Sequence, residues 1–150
     1  MYTRADINEF VAQKKIALAG ISHNKRKFGN IAFDELRKKG YEIYLVHPHA
    51  EEIEGNRCYP GLNEIPEAVD GVLICVPPDK SLQVVKDAAQ AGIPRVWMQQ
   101  GAASEEAIRF SQSNNLKLVH GECILMFAEP AGFMHRLHRG ILNMFGKLPH

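Results

Sequence analysis

The residues best suited to hold a ligand lie between Gly20 and Asn30. Two glycines, Gly20 and Gly29, bracket a polar loop that carries Ser22 and the basic run Lys25-Arg26-Lys27, and Phe28-Gly29-Asn30 leads into a helical pattern. An apolar run that stops at a glycine, then a basic loop, then a second glycine before a helix is how an α/β protein builds a phosphate cradle. The first N–H groups of a helix have no intrahelical partner, and the helix dipole favours an anion beside them. Lysine and arginine side chains pair with any further phosphate. A second kind of chemistry is offered by Cys123, the one thiol at the end of a strand pattern. Mixed-disulfide formation with a thiol ligand, or acyl transfer, would need a depressed pKa there; otherwise Cys123 is a packed, inert residue.

The elements that must position these groups follow from periodicity. Thr3 to Val11 reads as a short helix, with Thr3 as N-cap and Asp6 three residues on. Lys14 to Ala19 is a near-continuous apolar strand, which suggests burial on both faces. Asn30 to Lys39 has Ala32, Phe33 and Leu36 at helical spacing, and Gly40 closes it. Tyr41 to Val46 is the second strand and ends at His47-Pro48. Residues 51–66 read as a surface excursion, with a short strand at Arg57-Cys58-Tyr59 and a helical turn near Leu62. Val69 to Val76 holds the most apolar strand, ended by Pro77-Pro78. A helix from about Lys80 to Ala91, a strand from Arg95 to Met98, a helix capped by Ser104, and a last strand from Leu116 to His120 complete the pattern. Strands alternating with helices predict a doubly wound, Rossmann-like parallel sheet with helices on both faces. A single domain is expected, with its core over about 15–125. In such a fold, ligands bind beyond the C-terminal ends of the strands.

Bulk properties narrow the function classes. The net charge of +1 lacks the basic surplus of a general nucleic-acid binder. Three cysteines, Cys58, Cys75 and Cys123, form no disulfide framework and suit a reducing compartment. No signal-peptide core or membrane span is present, so a cytoplasmic location is expected. A helix from Pro130 to about Phe145 would add an apolar face of Phe133, Leu137, Ile141, Met144 and Phe145. Homodimer packing or docking on its own domain is expected of it, ahead of a membrane surface. His135 and His138 stand at i, i+3, with His120 and Cys123 nearby in sequence. Zinc needs three or four converging ligands, and this spacing alone does not make a metal site.

The nucleotide is narrowed by what strand two lacks. A dinucleotide site would show Gly-x-Gly-x-x-Gly after strand one and an acid at the end of strand two. The loop between Gly20 and Gly29 is longer, and strand two ends in His47-Pro48-His49. The basic loop suits a ligand with phosphate beyond the pyrophosphate. Coenzyme A, with its ribose 3′-phosphate, and NADP, with its 2′-phosphate, both qualify; the long loop favours coenzyme A.

The segments Gly20-Ile21-Ser22, Lys27-Phe28-Gly29-Asn30, Gly40-Tyr41, Val46-His47-Pro48, Ile53-Glu54-Gly55 through Tyr59, Ile65-Pro66, Trp97-Met98-Gln99-Gln100-Gly101 and Cys123-Ile124 resemble the small stand-alone CoA-binding proteins. These are similar to the N-terminal domain of the succinyl-CoA synthetase alpha subunit. The resemblance covers roughly Lys15 to Leu125 and implies a Rossmann-like fold with CoA across the strand ends. It also implies that Gly20, Ser22, Lys27, Gly29 and Asn30 meet the phosphates, with Arg26 and Phe28 in the same loop. His47 and Pro48 would border the adenosine, with Val76 and Pro77 flanking it. Gln99 and Gly101 would lie near the pantetheine, and Cys123 toward the thiol end. Two departures stand out. Relatives often carry basic residues where this chain has Val76-Pro77-Pro78-Asp79, and Asp-Arg where it has Gly121-Glu122. In the ligases this family resembles, the phosphohistidine lies in a separate domain, so a complete ligase is not expected. The expectation is a binder of CoA or acyl-CoA without catalysis of its own, serving an acyl-transferring enzyme. An NAD(P)-dependent oxidoreductase, a subunit of a CoA-ligase-type or CoA-transferase-type enzyme, and a protein-interaction module are the alternatives.

Overall fold

The computed structural model describes residues 2–128. The helix expected over 130–145, and the dimer contact read from it, lie outside the described residues.

Helix α1, Arg4–Ala12, starts in a capping box. Thr3 Oγ1 accepts from the Asp6 N–H, and the Asp6 carboxylate accepts from the Thr3 N–H. Strand β1, Lys15–Ala19, feeds α2, Phe28–Lys38, and then β2, Glu42–Val46. Next come β3, Glu52–Ile53, and β4, Asn56–Tyr59. Strand β5, Gly71–Ile74, leads to α3, Pro78–Gln90, and to β6, Arg95–Gln99. Helix α4, Glu105–Ser113, and β7, Lys117–Glu122, follow, and a 3-10 turn at Ile124–Met126 is the last described element.

The seven strands lie in the order β3-β4-β2-β1-β5-β6-β7, and every pairing except β3 with β4 is parallel. Alternate side chains of the central strands feed two cores, as strand pleating requires. On one face, Ile16, Leu18, Leu73 and Trp97 pack with Ile7 and Phe10 of α1 and Ala32, Phe33 and Leu36 of α2. On the other, Val72, Ile74, Val96 and Met98 pack with Val85 and Ala88 of α3 and Ala107 of α4. The sheet is therefore covered on both sides, which explains the continuous apolar character of its central strands.

Two expectations are corrected. The excursion after β2 holds the expected short strand, β4, but it is part of the sheet: β3, which was not expected, forms a two-residue-turn hairpin with β4, and β4 pairs with β2 through Leu45–Cys58 and Val46–Tyr59. Glu54 and Gly55 form that turn, with φ of 52° and 80°. Helices α2 and α3 also start earlier than their apolar spacing indicates, at Phe28 and Pro78. Proline opens α3 without cost because the first helical N–H has no partner in any case.

The ends of the sheet differ. At the start of β6 and β7, Glu9 of α1 binds Arg95 at 2.8 Å and Lys117 at 2.9 Å. Hydrogen bonds from Lys117 and then Arg95 hold the Glu9 carboxyl below its usual pKa. That end is closed by structural contacts. Among the described residues, no helix is long and apolar enough to cross a membrane.

Candidate functional site

Counting only the parallel strands in chain order, the sheet runs 3-2-1-4-5-6, and the winding direction reverses between β1 and β5. Their C-terminal ends part there, because the crossover after β1 leaves over one face and that after β5 over the other. This is the crevice in which doubly wound folds take ligands. A cavity of about 970 Å³ opens at this point, a size that suits a cofactor-sized ligand.

The loop from β1 to α2 forms one wall. Gly20 has φ +121°, and a Cβ there would stand 2.6 Å from the Cys75 carbonyl carbon. A Cβ on Gly29 would stand 2.3 Å from the Gly20 carbonyl oxygen. Gly29 thus lets the first turn of α2 press directly on the end of β1, and Gly20 lets that end meet the backbone at the end of β5, which no residue with a side chain could do. Asn30, only 4% exposed, fastens the loop: its Oδ1 accepts from the Ser22 N–H at 3.0 Å, and its Nδ2 donates to the Ser22 carbonyl at 2.7 Å. Further out, Ser22 Oγ accepts from the Asn24 N–H, and Asn24 Oδ1 accepts from the Arg26 N–H.

The start of α2 is left open. Lys27 occupies its N-cap without a side-chain cap, and its first turn has no acidic residue. The N–H groups of Phe28 and Gly29 have no hydrogen-bond partner among the described residues. By contrast, α1 and α4 are capped by Thr3 and Ser104. Lys27 lines the cavity, whereas Lys25 leans 3.8 Å from Glu54 on the β3–β4 hairpin. An uncapped, acid-free helix start with a lysine beside it is a site for an anion.

Helix α3 also begins at the cavity and also lacks a side-chain cap, but Pro77 and Pro78 supply no N–H and Asp79 puts a carboxylate in its first turn. Its contribution is a side wall. Lys80, Gln83, Val84 and Asp87 line the cavity along one helix face.

The end of β2 supplies His47, Pro48 and His49. His47 Nδ1 accepts from the N–H groups of His49, at 3.1 Å, and Ala50, at 2.9 Å, so the neutral ring carries its proton on Nε2. Burial first, then the charges of His23 and His49, depress the His47 pKa. Across the crevice, Gln99 is 4% exposed, and its Oε1 accepts from the Ile124 N–H at 3.1 Å, which leaves its NH2 for a ligand. Gly101 continues that wall. Cys75 lies at the end of β5 and lines the cavity; burial pushes its thiol up to about 12.

All the residues singled out from the sequence line the cavity except Arg26, Asn30 and Cys123. Arg26 is exposed in the outer loop, Asn30 turns inward to Ser22, and Cys123 packs beside the core next to the Ile124–Met126 turn. Sequence reasoning missed Cys75, the Pro60–Leu62 stretch and the α3 face. Lys80, Gln83 and Asp87 at i, i+3 and i+7 were the available signal for that face. No group of three or more His, Cys, Asp or Glu is placed to hold a metal among the described residues.

An open, doubly wound sheet with an anion cradle at its switch point defines a nucleotide-binding type of α/β domain. More narrowly, the chain belongs to the CoA binding domain family, whose sequence model matches residues 14–129. It is 34% identical over 108 residues to the ADP-forming acetate–CoA ligase II of Archaeoglobus fulgidus; the match covers 70% of this chain and 16% of the ligase. It is 26% identical over 123 residues to the uncharacterized protein YneT of Bacillus subtilis, covering 81% of this chain and 91% of that one. A conserved hypothetical protein from Pyrococcus furiosus superposes with a TM-score of 0.70 at 44% identity, covering 74% of this chain and 96% of the other.

Proposed function

We propose that this protein binds coenzyme A or an acyl-CoA in the switch-point cavity, has no catalytic activity of its own, and delivers its ligand to an acyl-transferring enzyme. The observation that carries the reading is the start of α2: two unpartnered N–H groups, Lys27 beside them, and no acid in the first turn. In this reading the pyrophosphate lies on Phe28 and Gly29, with Ser22 and Lys27 as further donors. Gly20 and Asn30 shape the cradle, and Arg26 meets phosphate reaching out to solvent. His47 and Pro48 border the adenosine, Val76 and Pro77 flank it, Gln99 and Gly101 lie along the pantetheine, and Cys123 stands toward the thiol end. The absence of a carboxylate after β2 disfavours NAD.

Thermal denaturation with CoA, acetyl-CoA, NAD and NADP tests the reading, since a ligand that binds only the folded state raises Tm. CoA and acetyl-CoA should raise it in a saturable manner. A shift with NAD or NADP and none with CoA overturns the assignment. The second reading, a CoA-binding subunit of a CoA-ligase-type enzyme, is favoured by the likeness to the acetate–CoA ligase. Acyl-CoA synthesis only after addition of a second, nucleotide-binding chain would establish it.

A further inference from the structure

Gln99 is a buried polar side chain that the fold leaves half paired. It ends β6 and is only 4% exposed. Its Oε1 accepts from the Ile124 N–H at 3.1 Å, and that backbone donor fixes which end of the amide is oxygen. Its Nε2 has no hydrogen-bond partner among the described residues, whereas every sealed side-chain nitrogen or oxygen among them has one. Nε2 is therefore not shut inside, and Gln99 lines the cavity, so the free amide donor opens there. A donor left unpaired at a nearly dry wall is costly unless a ligand meets it.

The sheet sets the place of this donor relative to the cradle at α2. Ala19, Ile74 and Met98 are register partners across β1, β5 and β6, so the next residues, Gly20, Cys75 and Gln99, end three adjacent strands in a row. Gly29, in the first turn of α2, presses on Gly20. Strands lie about 4.8 Å apart, so Gln99 stands about 10 Å from the cradle across the sheet. Between them is Cys75, whose thiol burial keeps protonated near neutral pH. The floor from the cradle to Gln99 is thus uncharged and ends in an N–H donor. It suits a neutral chain that leads from an anion to a carbonyl.

We propose that Gln99 Nε2 donates to an amide carbonyl of the pantetheine arm, and that this bond makes the site choose arm-bearing coenzyme A over its bare nucleotide. The proposal rests on the coenzyme A reading of the cavity. An extended chain advances about 1.3 Å per bond, which places the arm's amide carbonyl nearer the sulfur about 11 Å from the inner phosphorus. The thioester carbonyl of an acyl-CoA, about 18 Å out on the same count, passes beyond Gln99. Gln99 recognises the arm and is indifferent to the acyl group.

Calorimetry on the full chain with CoA, acetyl-CoA and 3′-phospho-ADP, which is CoA cut at its pyrophosphate, tests this. The variant is Gln99→Glu, measured above neutral pH, where its carboxyl is ionised. Glutamate keeps an acceptor for the Ile124 N–H and removes the donor. Its charge acts on the phosphates of every ligand, so the ratio of CoA to 3′-phospho-ADP affinity isolates the arm. Wild type should prefer CoA, and the variant should lose about tenfold of that preference, equally for CoA and acetyl-CoA. In wild type, the Gln99 side-chain amide resonance should move with CoA and stay with 3′-phospho-ADP, a readout that does not depend on the variant folding. An unchanged affinity ratio in a folded variant, or an unmoved Gln99 resonance under saturating CoA, overturns the proposal and leaves the coenzyme A reading standing. A loss confined to acetyl-CoA overturns it as well, by putting the donor on the thioester. Wild type that binds neither CoA nor 3′-phospho-ADP overturns the coenzyme A reading, and the proposal with it.

Discussion

Two helices begin at the same cavity and are prepared for opposite ligand groups. Helix α2 starts with free N–H groups, a lysine and no acid; α3 starts with two prolines and Asp79. Both are uncapped by side chains, so the absence of a cap does not distinguish them. The distinction is made by donors and charge. An anion gains the dipole and two N–H donors at α2, whereas at α3 it meets a carboxylate and prolines without N–H. The polar ligand head belongs at α2, and α3 offers a mixed side wall along Lys80, Gln83 and Val84.

Substitutions can break or sharpen this contrast. The largest effect is expected from Gly29→Ala, because its methyl would stand 2.3 Å from the Gly20 oxygen. CoA affinity measured by calorimetry should fall about 100-fold, near 2.7 kcal/mol, with a lowered Tm. Asn30→Ala removes both bonds to Ser22 and should cost about 1–3 kcal/mol of stability in urea titrations, with a smaller loss of affinity. Lys27→Ala should weaken CoA about tenfold at low salt and less at high salt, while Lys25→Ala changes it little. Asp79→Asn should act in the opposite direction and tighten binding about twofold, by removing a like charge from the cavity.

The smallest effect concerns His47. Its folded-state pKa lies below the ordinary value, so between the two the unfolded chain binds more protons and stability rises with pH. The contribution is complete above the unfolded pKa and is lost as pH falls through the depressed folded one. His47→Gln should flatten that acid-side loss in urea titrations across pH.

Much of this contrast could be read from the sequence. Gly20, Gly29 and the basic loop announced a cradle because the glycines meet backbone, and backbone contacts constrain residue type strongly. Strand β4 was expected at Arg57-Cys58-Tyr59, but its hairpin with β3 was missed because β3 is two residues long, too short for periodicity, and the turn is Glu54-Gly55, without the Asn-Gly or Asp-Gly that signals such a turn. The cavity face of α3 was hidden because polar residues at helical spacing look the same whether they face water or a ligand. Asn30 was recognised as a site residue, yet its amide is turned onto Ser22, a role that depends on the three-dimensional closeness of the loop and α2.

The central claim, that the start of α2 holds the pyrophosphate, is tested most directly by backbone amide NMR during titration with CoA. A saturable shift is expected to be largest at the Phe28 and Gly29 amides and small at Asp79 and Lys80. Shifts concentrated at Asp79 and Lys80, or no saturable shift at Phe28 and Gly29, would contradict it.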